Sequence, residues 1–155
     1  MRLVENRGRP CFMWPSNVVL HFGFGRLQIA GAAQRYMHLA DAQTAKALAA
    51  RDGLVLAASR GCERAILEMD NLSLFNMLQS EMGERSVMAG LWQEIRELSR
   101  IFVAFKLSFV YREGNEAAHV CASLVSEANP NELWLTVFLP RLIRVVETDC
   151  NPAVA

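Results

Sequence analysis

The sequence predicts an α/β domain, and three observations carry that prediction. Short stretches of strand-like residues recur between longer helix-like ones. Arg64-Ala-Ile-Leu-Glu-Met-Asp70 reads as a strand that ends in a carboxylate, and Asn71 turns it straight into a helix. From Phe102 to Tyr111, Val103, Phe105, Leu107, Phe109 and Tyr111 alternate with Ala104, Lys106, Ser108 and Val110, which is the period of a strand.

Residues 1–15 show no period and are expected to be irregular. Pro10 and Pro15 bracket the apolar knot Cys11-Phe-Met-Trp14. Ser16–His21 and Arg26–Ala32 read as two antiparallel strands joined by Phe22-Gly-Phe-Gly25. Gly23 and Gly25 do not make a phosphate loop, because no Lys-Ser/Thr follows and a strand comes next in place of a helix. Residues 33–40 form a connection. Asp41 then caps an alanine-rich helix that runs to about Ser59 and stops at Gly61. Lys46, Ala49, Ala50, Gly53 and Ala57 share one face of it, and small side chains there let a helix lie close on a sheet.

After the strand that ends at Asp70, Asn71 caps Leu72–Leu78. Ser86 is expected to cap a third helix ending near Arg100, with a core stripe of Met88, Leu91, Ile95 and Leu98 that Trp92 extends. Glu94, Arg96, Glu97 and Arg100 form a solvated charged face. Asn115 caps a last helix, with Ala118, His119, Ala122 and Val125 on one face, ended by Asn129-Pro-Asn131. The stretch from Leu133 to Val146 is apolar enough to pack back onto the domain. Residues 150–155 form a loose tail. The domain is therefore placed at residues 16–149.

Composition limits the function. The chain has 155 residues, 52% hydrophobic and 21% charged, enough for one domain with a packed core. Sixteen basic residues balance sixteen acidic ones, so no long-range field draws nucleic acid or a membrane surface. A nucleic-acid role must rest on a local site. The four cysteines, Cys11, Cys62, Cys121 and Cys150, lack Cys-x-x-Cys spacing, and the three histidines show no metal-ligand spacing. Free thiols fit a reducing compartment, nuclear or cytoplasmic, better than secretion. No apolar run reaches the length of a membrane span, and the N-terminus makes a poor signal peptide.

Three stretches in order carry a family resemblance. They are Ala45-Lys-Ala-Leu-Ala-Ala-Arg-Asp-Gly-Leu54, Leu67-Glu-Met-Asp70-Asn71, and Val110-Tyr-Arg-Glu-Gly-Asn-Glu-Ala-Ala-His119. They look like a helix with Ala-Glu-Ala then Gly-Leu, a Val-Glu-x-Asp-Ser strand end, and a Val-x-Arg-Glu-x-Asn-x-x-Ala-Asp/His turn into a helix. The chain resembles, over about residues 17–149, the plant ribonuclease H-like domain. This is a type 1 ribonuclease H found beside retrotransposon-type reverse transcriptases. The resemblance implies a mixed sheet in the order 3-2-1-4-5 with helices on both faces. It also implies hydrolysis of the RNA strand of an RNA–DNA hybrid. Four carboxylates would hold two magnesium ions, one to activate water and one to stabilise the leaving oxygen.

Carried across residue by residue, that site is mostly absent. Asp70 matches one carboxylate. The helix glutamate falls on Lys46, which reverses the charge, and the last aspartate falls on His119, as in many plant members. The first-strand Asp-Gly pair has no counterpart, since Asp41 is the first aspartate of the chain. No counterpart of the central first strand is read between Pro15 and Val18. Either Met1–Val4 or Cys11–Trp14 fills its place, or the sheet is incomplete and its exposed edge invites self-association.

Each site residue has an ordinary role to set beside the functional one. Asp70 would help start the next helix, and Lys46 would be a solvated lysine; in a degenerate site, Lys46 near Asp70 would form an ion pair in place of a metal site. Arg112 and Asn115 sit in the loop before the last helix, where both would touch a phosphate backbone; their ordinary roles are a surface charge and an N-cap. Glu68 alternates onto the face of Asp70 as a second magnesium ligand, or is structural. The expectation is a degenerate ribonuclease H-like domain that retains nucleic-acid binding and holds magnesium weakly or not at all. The alternative is a non-enzymatic interaction module or relic of a mobile element.

Overall fold

The computed structural model describes residues 10–13, 18–22, 28–34, 41–111, 116–124, 131–134, 140 and 143–145. Ten elements follow in order: β1 (Pro10–Met13), β2 (Val18–Phe22), β3 (Gln28–Gln34), α1 (Ala42–Ser59), β4 (Arg64–Met69), α2 (Leu72–Gln79), α3 (Ala89–Ser99), β5 (Ala104–Phe109), α4 (Glu116–Leu124) and β6 (Asn131–Trp134). A short 3₁₀ turn, Glu81–Arg85, lies between α2 and α3.

Among the described residues, six strands join one mixed sheet in the order β5-β4-β1-β2-β3-β6. β1 runs parallel to β4, with Cys11 beside Ala65 and Met13 beside Leu67, and antiparallel to β2, with Phe12 beside His21. Of the alternatives for the central first strand, the place is filled by Pro10–Met13, which overlaps the Cys11–Trp14 stretch. This corrects the reading of residues 1–15 as wholly irregular. It also closes the gap between β2 and β4 on which the expectation of self-association rested, because β1 hydrogen-bonds to both. The hairpin of β2 and β3 forms as expected, with Val18 beside Ala32 and Phe22 beside Gln28. β5 extends the sheet in parallel from Arg64–Ala104 to Met69–Phe109. β6 adds a strand outside β3, where the sequence had suggested only a packed tail.

The core follows from the alternation of β4. Ala65, Leu67 and Met69 turn to one face and are buried there with Ala47, Ala50, Leu54 and Ala57 of α1, Leu74 of α2 and Ile95 of α3. Small residues at Ala47, Ala50 and Ala57 bring α1 close to the sheet, so Leu54 and Leu67 are fully enclosed. Truncating either to alanine costs about 2–5 kcal/mol, because the lost contacts leave a cavity. α4 packs against β2 and β3, with Val120 and Cys121 buried apart from that cluster.

The caps decide where the helices begin. Asp41 accepts a hydrogen bond from the Thr44 amide at 2.7 Å, and Asn71 accepts one from the Leu74 amide at 2.9 Å. Gly61, at φ 70°, takes the left-handed conformation that ends α1. Ser86 does not cap α3. The helix starts three residues later, at Ala89, with Met88 at the cap position and no side-chain cap. The Ser86 hydroxyl instead donates to the Gly83 carbonyl and accepts from the Met88 amide, which closes the turn that follows the 3₁₀ segment. Among the described residues, no helix is long and apolar enough to cross a membrane.

Candidate functional site

The C-terminal end of β4 faces the first turns of α1, and that apposition builds the site. α1 needs its small-residue face against the sheet, and Lys46 lies on the same face one turn before Ala49 and Ala50. β4 ends at Met69, and Asn71 must be extended to cap α2, which leaves Asp70 at the junction. Asp70 is thereby brought under α1. The Lys46 Nζ lies 2.6 Å from Asp70 Oδ1. The two side chains differ in exposure: 24% for Lys46 and 5% for Asp70. The carboxylate is enclosed, and the lysine stands on its solvent side. Beside them Gln43 of α1 donates to the Ser73 hydroxyl of α2 at 3.3 Å, so the two helix starts are joined at the rim of the site.

Glu68 is buried next to Ser108 of β5, each with 8% of its surface exposed. Strand alternation puts Glu68 on the face opposite Leu67 and Met69, away from the face that carries α1. His119 lies within α4, and nothing is described of its side chain. Arg112 and Asn115 lie outside the described residues. Of the residues singled out in the sequence, the structure brings Lys46 and Asp70 into contact.

The chemistry of this donor set does not suit a pair of magnesium ions. Magnesium takes near-octahedral oxygen ligands at about 2.0–2.1 Å. Here an ammonium is hydrogen-bonded to the carboxylate that would have to supply one of them. A divalent ion about 4 Å from that ammonium meets a repulsion of about 8 kcal/mol at an effective dielectric of about 20. Several carboxylates are needed to outweigh it. β1, Pro-Cys-Phe-Met, contributes none. Among the described residues, no three His, Cys, Asp or Glu side chains are grouped so as to hold a metal. What the arrangement does offer is a buried ion pair joining α1 to β4, with its cation toward solvent.

Comparison with known proteins agrees with this architecture. A sequence model described as reverse transcriptase-like matches residues 17–125. Among solved structures, the chain is similar to ribonuclease H1 from the halophilic archaeon Halobacterium salinarum, at 20% identity and a TM-score of 0.59, covering 74% of this chain and 95% of that one. It is also similar to the N-terminal ribonuclease H domain of a Mycobacterium tuberculosis protein, solved as a fusion with maltose-binding protein. There the identity is 14% and the TM-score 0.52, covering 75% of this chain and 93% of the other. At these identities the likeness shows the fold. No curated protein matches the chain. A ribonuclease H-like sheet, the ordered motifs on α1, β4 and α4, and a family match over most of the length lead to one conclusion: the chain belongs to the reverse transcriptase-like family, with a ribonuclease H-like domain.

Proposed function

We propose that this chain is a ribonuclease H-type domain that binds nucleic acid, an RNA–DNA hybrid first of all, and does not hydrolyse it efficiently. The observation that carries the reading is the 2.6 Å contact between Lys46 and Asp70. Hybrid hydrolysis of the ribonuclease H type needs metal-bound water and a metal at the leaving oxygen. A lysine hydrogen-bonded to the retained carboxylate competes with both ions for the same oxygen and repels them. The fold that displays a hybrid to the site is kept, and the ligands that would cut it are not.

The test is magnesium-dependent cleavage of an end-labelled RNA–DNA hybrid by the purified chain, with Asp70→Asn as control. The folded chain is expected to leave the RNA strand intact. Cleavage by the wild type that disappears in Asp70→Asn would overturn the reading and place a working metal site at Asp70.

A further inference from the structure

We propose that Lys46 is itself the cation of this site and holds a backbone phosphate of the nucleic acid without magnesium. The inference rests on the nucleic-acid-binding reading and specifies how that binding is achieved.

The argument begins with charge. A cluster of carboxylates awaiting metal repels phosphate, and only the bound metal makes such a site receptive to it. Lys46 and Asp70 together sum to zero with no metal at all. A polyanion reaching this end of the sheet therefore meets no uncompensated negative charge from the pair.

Exposure decides which partner it meets. Asp70 keeps 5% of its side chain exposed and Lys46 keeps 24%, so the cation lies outward of the anion. An ammonium has three donors. One points to Asp70 Oδ1, and among the described residues that is its one hydrogen bond, which leaves donors for a phosphate oxygen.

The neighbours suit the same ligand. Gln43 lies one turn before Lys46 on the same face of α1, and Ser73 lies in the first turn of α2. Their exposed hydrogen bond joins an amide and a hydroxyl at the rim. Both groups are neutral hydrogen-bonding side chains of the kind that position a sugar–phosphate backbone. Lysine acts on phosphate as a point charge, so this contact positions the backbone and reads no base.

The experiment measures binding of a fluorescein-labelled RNA–DNA hybrid to the full chain by anisotropy. It is run in EDTA and in millimolar magnesium at matched ionic strength, across a range of salt. Wild type, Lys46→Gln, Lys46→Arg and Asp70→Asn are compared, and thermal unfolding confirms that each is folded. The wild type is expected to bind as well in EDTA as in magnesium. Lys46→Gln should weaken binding and lower the log–log salt slope by about one, the loss of a single phosphate contact. Lys46→Arg should keep the affinity. Asp70→Asn should tighten binding, because it frees the ammonium. Lys46→Arg and Asp70→Asn carry the test if Lys46→Gln does not fold. Binding that requires magnesium, that is unchanged in folded Lys46→Gln, or that weakens in Asp70→Asn overturns the inference while the nucleic-acid reading stands. A wild type that binds the hybrid in neither buffer overturns both.

Discussion

Lys46 of α1 and Asp70 at the end of β4 are 24 residues apart in the chain and 2.6 Å apart in the fold. The carboxylate is enclosed, and the ammonium is a hydrogen-bonded counter-charge to it. Removing one member of such a pair costs more than the pair contributes, because the survivor stays buried and charged. Lys46→Met is expected to destabilise the domain by about 2 kcal/mol, less than for a fully buried pair because the lysine is partly solvated. Urea denaturation of wild type, Lys46→Met and the double variant Lys46→Met/Asp70→Asn checks this, since the double variant should recover part of the loss.

Restoring one carboxylate does not restore a metal site. Lys46→Glu would put a second acid beside Asp70, but β1 brings Pro10, Cys11, Phe12 and Met13 to the neighbouring strand and no acid. Lys46→Glu alone is therefore expected to leave a labelled hybrid uncut in magnesium. It should also lose stability at neutral pH, through repulsion between two carboxylates. A cleavage assay paired with thermal unfolding reads both.

Gly83 is fixed by Trp92. A Cβ at Gly83 would fall on the five-membered ring of the indole, whose Nε1 donates to the Met77 carbonyl at 3.1 Å. The Arg96 guanidinium lies 4.7 Å from the centroid of the Trp92 ring. Gly83→Ala should push the indole off its partner and cost about 2 kcal/mol by overpacking. A lower urea midpoint and a changed near-ultraviolet circular dichroism spectrum are the expected readouts.

Two groups give the stability a pH signature. The Thr44 amide holds the exposed Asp41 carboxyl below its ordinary 3.8. A lowered folded-state value means that the cap contributes fully above 3.8 and is lost as pH falls through the lower value. Asp41→Asn, which still accepts the bond but does not titrate, should show a shallower loss of stability as pH falls below 3.8. At the alkaline end, burial pushes the Cys121 thiol from 9.0 up to about 12. The folded state keeps its proton while the unfolded state loses it, so stability falls as pH rises through 9 toward 12. At pH 8, peptide mapping after brief iodoacetamide treatment should find buried Cys62 and Cys121 unmodified until the chain is unfolded.

Much of the fold was legible because local signals and tertiary packing agreed. Asn71 had to cap α2 once β4 ended at an acid, and the small-residue face of α1 had to meet a sheet. The misses share a cause. β1 is four residues long and begins with a proline, so no alternation marks it, and pairing with Ala65 on one side and His21 on the other makes it a strand. β6 is equally short and depends on β3. Ser86 carries the right chemistry for a cap, but Trp92 packs against Gly83 and keeps that segment in a turn. At β5 the alternation was read too far, since Val103 and Tyr111 are 85% and 77% exposed beyond the strand ends. At the candidate site, the match of Lys46 and Asp70 to two carboxylate positions of one site set them together as an ion pair, and the docking of α1 on β4 brings the ammonium to 2.6 Å from the carboxylate.

The most direct test of the central claim is a magnesium titration of the folded chain, followed by thermal unfolding and calorimetry. A ligand that binds the native state raises the unfolding temperature as it saturates. If the Lys46 ammonium stands where a metal would bind, millimolar magnesium should give no saturable heat and no shift beyond that of an equal ionic strength of sodium. A saturable rise in the unfolding temperature that Asp70→Asn abolishes would contradict the account.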